Sequence, residues 1–194
     1  FVAAFTYIAF TTNPVYTGIG VGDRVPDLEG EVWDGSTWKD FNLQDNLANE
    51  SWVEGDAGTY FMIEFMDTNC GYCQKAAEEE IPQMQEKWTG PSATRSMPTG
   101  VNVEFIAVSI SLHEGSDGWD YGEQEIKDFR LDYEHTFSYM NDQDNVNRDE
   151  WGIPGTPTYF LVAPNGIILF ATPDAEQGET VWDAMEYEIP RGDA

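Results

Sequence analysis

TYFMIEFMDTNCGYCQKAA, residues 59–77, holds both cysteines of this 194-residue chain, Cys70 and Cys73. Its first part, residues 59–66, is apolar and aromatic apart from Glu64, which predicts a central strand covered on both faces. Downstream, Cys73, Ala77, Ile81, Met84 and Trp88 follow one another at spacings of 4, 4, 3 and 4, the buried face of a helix. Lys75, Glu78, Glu79 and Glu86 lie off that face, and Pro82 is expected to kink the helix in its middle. A Cys-x-x-Cys pair that ends a buried strand and opens a helix puts Cys70 at the helix N-terminus. There, free N–H groups and the helix dipole stabilise a thiolate. Cys73 falls one turn further in, so one sulfur can attack a disulfide while the other, shielded, resolves the mixed disulfide.

Two other uses of the pair fit less well. Zinc needs two more ligands, and the chain offers only His113 and His135, neither in a ligand-spaced motif. A purely structural disulfide closing so small a loop would stabilise little. Glu64 stands six residues before Cys70 in an apolar strand, where an unpaired carboxylate is costly to bury, so it calls for a reason. Either the strand is less buried there and Glu64 is solvated, or burial raises its pKa toward neutrality and suits it to acid/base work.

Outward from this stretch, strands and helices alternate. EVWDGSTWKDF reads as a β-hairpin turning at Asp34-Gly35. VNVEFIAVSI is a second buried strand, EQEIKDFRLDY an amphipathic helix with Ile126 and Phe129 inward, and FSYM a short strand. TPTYFLV and IILFA, joined by Ala163-Pro164-Asn165-Gly166, form an antiparallel hairpin, and residues 180–189 a closing helix. Residues 90–100 and 115–122 are loops by composition, and NDQDNVNRDE, 141–150, is a solvated loop leading into a short helix rather than a calcium loop, because Val146 breaks that pattern. The order predicts an α/β fold with a mixed central sheet flanked by helices and an N-terminal β-hairpin extension.

The length suits one domain, expected at residues 21–190. Residues 1–20 begin with the apolar run FVAAFTYIAF. At ten residues it is short of the roughly 20 that span a bilayer. It reads either as the downstream end of a signal or membrane anchor upstream of Phe1, or as an element packed on the domain. With 36 Asp and Glu against 9 Lys and Arg, the formal net charge is −27, spread along the whole chain. Such a field repels phosphate backbones and anionic lipid, which excludes nucleic acid as a partner. It fits either a halophilic or marine setting or the solubility of an exported protein.

Three motifs in order resemble the thioredoxin superfamily and, within it, the extracytoplasmic, often membrane-anchored TlpA and ResA type: VGDRVPDLEGEVWDGSTW, CGYC and WGIPGTPTYFLVAPNG. The resemblance covers roughly residues 21–189 and implies a thioredoxin-like fold and thiol-disulfide exchange with protein thiols and disulfides. It implies an electron-donor or electron-acceptor redox protein as a further partner and no cofactor or metal beyond a redox-active Cys70–Cys73 disulfide, and a monomer is expected because the sequence shows no separate dimerisation domain of the kind DsbC has. It makes Cys70 the nucleophile, Cys73 the resolving thiol and Glu64 the proton partner of Cys73. Thr156-Pro157 becomes a cis peptide that docks the substrate strand, with Gly71 and Tyr72 beside it. Two departures stand out: Asn69 replaces the usual Trp before the nucleophile, and Pro82 comes nine residues after Cys73 instead of about five. Gly71-Tyr72 and Thr156 are also similar to the disulfide isomerase DsbC, and family potentials span about −270 to −120 mV, so the direction of electron flow stays open. Peroxidase chemistry is excluded because Ile63 and Asp67 occupy the Pro and Thr positions of the peroxiredoxin pattern. A copper protein of the Sco type, using His135, and a redox-inert binding module are the remaining alternatives.

Overall fold

Residues 15–90, 96–113 and 115–192 are described by the computed structural model, so the apolar run at 1–10 and the centre of the 90–100 loop lie outside the described residues. The strands are β1 (Glu29–Trp33), β2 (Trp38–Asn42), β3 (Gly58–Met66), β4 (Val101–Ile110), β5 (Ser138–Asp142), β6 (Thr158–Val162) and β7 (Ile168–Ala171). The helices are α1 (Gly71–Glu79), α2 (Ile81–Trp88), α3 (Glu123–Asp132), α4 (Val146–Glu150) and α5 (Val181–Glu188). The sheet runs β2-β1-β5-β4-β3-β6-β7, with β3, β4 and β5 parallel and the outer pairs antiparallel. It is the mixed sheet with an added hairpin that the alternation of elements predicted.

β3 lies near the centre because its residues are apolar on both sides. Tyr60, Met62 and Met66 join a core with Cys73, Ala77, Trp88, Phe105, Tyr139 and Met185 under the helices α1, α2, α3 and α5. Phe61, Ile63 and Phe65 join a second core with Leu28, Leu43, Val108, Trp151 and Phe160 on the opposite face. Alternation places Glu64 on the first face, among the residues that pack beneath Cys73.

The helix after the cysteines is broken rather than kinked. α1 ends at Glu79, and Glu80 (φ −107°, ψ −53°) links it to α2, in whose first turn Pro82 lies. A proline lacks the amide that an interior helical position must donate, whereas the first turn has no use for that donor. The buried face is also adjusted: Ala76 and Gln85 are buried, Met84 only partly so. Gln85 is satisfied there by accepting the Thr136 amide at 2.8 Å.

Ordered backbone starts before residue 21, since Arg24 N donates to Tyr16 O and Gly18 N to Arg24 O. The same segment seals the β7 edge. Gly22 N donates to Ile168 O, Ile168 N to Asp23 O, and Val25 N to Gly166 O, each at 2.9 Å. At 141–150 the polar run folds on itself: buried Asp142 accepts from the amides of Asn147 and Arg148 at 2.8 Å, and Asn147 Nδ2 donates to Glu29 O at 3.0 Å. Those carboxylate oxygens are occupied in tying α4 to β5, and the Asn147 side chain ties α4 to β1. Among the described residues no helix is long and apolar enough to cross a membrane.

Candidate active site

The polar step Asp67-Thr68-Asn69 carries the chain from the end of β3 to the start of α1. Cys70 occupies the N-cap, in extended conformation (φ −76°, ψ 118°), and Cys73 is buried one turn below; both are free thiols. The Thr156–Pro157 peptide bond is cis, and the Cys70 thiol donates to Thr156 O at 3.5 Å. The structure thus brings together Cys70, Cys73 and Thr156-Pro157 from segments 86 residues apart. Gly71 and Tyr72 lie exposed between the cysteines, with Tyr72 78% accessible.

The two thiols sit in opposite electrostatic environments. Burial works against ionising Cys70, but the nearby Thr156 side chain, the Cys73 amide and thiol, and the Tyr72 amide outweigh it and hold this thiol below its ordinary value. Thr156 Oγ1 lies near both sulfurs without a regular hydrogen bond to either, so its effect is that of a nearby dipole. Burial pushes the Cys73 thiol far up, and the Glu64 carboxylate pushes it further. Ionisation is eased at one sulfur and opposed at the other.

Glu64 is 2% exposed, and its burial raises its pKa to about 8. The Tyr159 hydroxyl opposes that rise by donating to Glu64 Oε1 at 3.2 Å. Both follow from register: Glu64 on β3 faces Tyr159 on β6 and Ala107 on β4, and Ala107 faces Tyr139 on β5. The reading of Glu64 as solvated is overturned by this burial.

A neighbouring pair closes the row. Tyr139 OH lies 2.6 Å from His135 Nδ1, and His135 Nε2 lies 3.1 Å from Ala77 O. The Ala77 carbonyl accepts only, so Nε2 carries the proton and Nδ1 accepts from Tyr139. Burial lowers the His135 pKa to about 4. With both nitrogens occupied, His135 has none free for copper. Among the described residues no three His, Cys, Asp or Glu side chains gather as a metal site requires.

The model of a thioredoxin-like domain family matches residues 53–189, which includes every residue of this cluster. The chain belongs to the thioredoxin-like family. Solved structures with the same fold include the thioredoxin domain of a thiol-disulfide oxidoreductase from Bacteroides vulgatus, at 15% identity and TM-score 0.57 over 89% of this chain and 100% of that one. A thiol:disulfide interchange protein from Bacteroides sp. gives 16% identity and TM-score 0.57 over 90% and 91%. A secreted Mycobacterium tuberculosis disulfide oxidoreductase gives 12% identity and TM-score 0.50 over 81% and 92%. A search of the curated proteins returns no match.

Within this thioredoxin-like frame, three features were not read from the sequence. Tyr159 is one, since its contact with Glu64 exists only once β6 is placed beside β3. The Tyr139–His135 pair is another. The third is Asp67, 1% exposed, whose Oδ2 accepts from Leu112 N at 2.9 Å and Tyr121 OH at 2.8 Å while Oδ1 accepts from Asn69 N at 2.8 Å. Its signal was available: a carboxylate directly after a buried strand, three residues before Cys70.

Proposed function

We propose that this chain is a thiol-disulfide oxidoreductase that exchanges disulfides with protein substrates through Cys70 and Cys73. The observation that carries the reading is the asymmetry of the pair, a Cys70 thiol eased toward ionisation at a helix N-terminus above a Cys73 thiol held protonated beside a buried acid. In the reductive direction the Cys70 thiolate attacks one sulfur of a substrate disulfide and expels the other as a thiolate, which takes a proton. Glu64 then accepts the Cys73 proton, Cys73 attacks the Cys70 sulfur, and the substrate leaves with both sulfurs reduced. Two electrons pass to the substrate and the Cys70–Cys73 disulfide forms. Oxidation of a dithiol runs the same steps backwards. Thr156-Pro157, placed by the 3.5 Å contact to Cys70, lines the side on which the substrate backbone docks, next to Gly71 and Tyr72.

Work outside the cytoplasm, with a redox protein as electron donor or acceptor, is part of the proposal. It is supported by likeness to a protein described as secreted and by two cysteines spaced for a redox pair. The test is trapping. Cys73→Ser should accumulate a mixed disulfide with a scrambled substrate protein through Cys70, seen by mass spectrometry, and Cys70→Ser should trap nothing. Equal trapping by both variants would overturn the roles.

A further inference from the structure

Asn69 leaves the edge of the nucleophile without the aromatic surface its position usually carries, yet the structure brings aromatic side chains there from elsewhere. Asn69 Nδ2 donates to Asp120 O at 2.9 Å, so the residue preceding Cys70 is bonded to the residue following Trp119. The arm is anchored at both ends on Asp67, through Leu112 N and Tyr121 OH, and His113 N donates to Tyr121 OH at 3.1 Å. On it, the His113 and Trp119 rings stack at 4.7 Å with 27° between planes, and Trp119 remains 40% exposed.

We propose that the arm carrying His113 and residues 115–121 is a docking surface for a basic polypeptide segment flanking the substrate's disulfide. This rests on the oxidoreductase reading above and names the class of substrate. Three observations carry it. First, the arm adjoins the reacting cysteine: it is bonded to Asn69, the residue directly before Cys70, whose thiol meets Thr156 O and which is followed two residues on by exposed Tyr72. Second, His113 stacks against Trp119, and the part of the indole left accessible is of a kind that a Lys or Arg side chain binds through its charge and stem. Third, residues 111–122 contain no Lys or Arg, Asp117 and Asp120 flank Trp119, and the chain carries a formal −27, so an acidic segment would be repelled.

The experiment compares two peptides with one identical internal disulfide, one flanked by Lys and Arg and the other by Asp and Glu, reduced by wild type and by Trp119→Ala at low and high salt, with dithiothreitol returning the Cys70–Cys73 disulfide to the dithiol and its direct reaction with each peptide subtracted. The expected result is a kcat/KM for the basic peptide at least about tenfold above the acidic one in wild type, carried mainly by KM and shrinking with salt. Trp119→Ala should lose several-fold of that preference, and Trp119→Phe should restore part of it. No preference in wild type, or one untouched by Trp119→Ala in a variant of unchanged melting temperature, overturns the docking surface. If wild type reduces neither peptide but does reduce oxidised glutathione, the docking surface fails while the oxidoreductase reading stands. If it reduces none of the three, that reading fails as well.

Discussion

Tyr159 and Glu64 face each other on directly paired positions of β6 and β3, and the Tyr159 hydroxyl donates to Glu64 Oε1 at 3.2 Å. A phenol that donates to a carboxylate stabilises its charged form. The buried acid beneath Cys73 is therefore set by two opposed influences, burial raising its pKa and Tyr159 restraining the rise. On the proposed mechanism Glu64 accepts the Cys73 proton and must be ionised to do so, so resolution of the mixed disulfide should speed up as pH rises through about 8. Tyr159→Phe removes the restraint, and the midpoint of that pH profile should move up by about one pH unit, in keeping with one lost hydrogen bond to a charged group. Single-turnover decay of a trapped species across pH 6–10 measures it; an unmoved midpoint would show that Tyr159 only fills space.

Glu64→Gln should slow that same decay by roughly 10²-fold or more while attack by Cys70 changes far less. Its stability should report the buried acid separately. A folded-state pKa of about 8 against an ordinary value of 4.5 means the folded form keeps a proton that the unfolded chain releases. That contribution is fully present below about 4.5 and is lost as pH rises through about 8. The melting temperature of Glu64→Gln relative to wild type should therefore climb across this window and level off above it. A constant difference at all pH values would mean that the carboxyl is not buried as described.

His135 should produce the opposite trend. Burial lowers its pKa from 6.5 to about 4, so the stability it supports is present above 6.5 and lost as pH falls through about 4. His135→Gln can still donate to Ala77 O but cannot be protonated. It should cost about 1 kcal/mol at neutral pH and flatten the loss of stability between pH 6.5 and 4, read from urea midpoints. An acid limb as steep as that of wild type would place the titration elsewhere.

The net charge of −27 predicts a salt response. The Debye length falls from about 10 Å at 0.1 M to about 3 Å at 1 M, which screens self-repulsion, so the melting temperature should climb steeply with sodium chloride. A flat profile between those concentrations would leave the acidity without a role in stability.

The parts of this molecule legible in the sequence are those fixed by neighbours in the chain. Apolar continuity placed β3, the i, i+4 spacing placed the helix face carrying Cys73, and the Asp34-Gly35 turn placed the first hairpin. The resemblance joined Thr156-Pro157 to Cys70. What was not legible depends on partners distant in the chain. Glu64 was singled out, but Tyr159 became its partner only when β6 settled antiparallel beside β3, and Asp67 gained its meaning from Leu112 and Tyr121 across 45 and 54 residues. The break at Glu80 was missed for a local reason: periodicity runs through a helix interruption unchanged when the next helix continues the same buried face, and Pro82 then marks a start instead of a bend.

The backbone seal that Gly22, Asp23 and Val25 place on Ile168 and Gly166 bears on how copies of this protein behave toward one another. A bare edge strand is a template onto which another chain can add, and copies each bearing one accessible thiol, Cys70, once aligned edge to edge, are at risk of becoming cross-linked in pairs. With β7 occupied by the chain's own N-terminal segment, the remaining margin is β2, where Lys39 and Asp40 project charge. Loss of the segment that includes residues 16–25 should therefore appear first as a disulfide-linked dimer through Cys70, before any loss of the reacting pair itself.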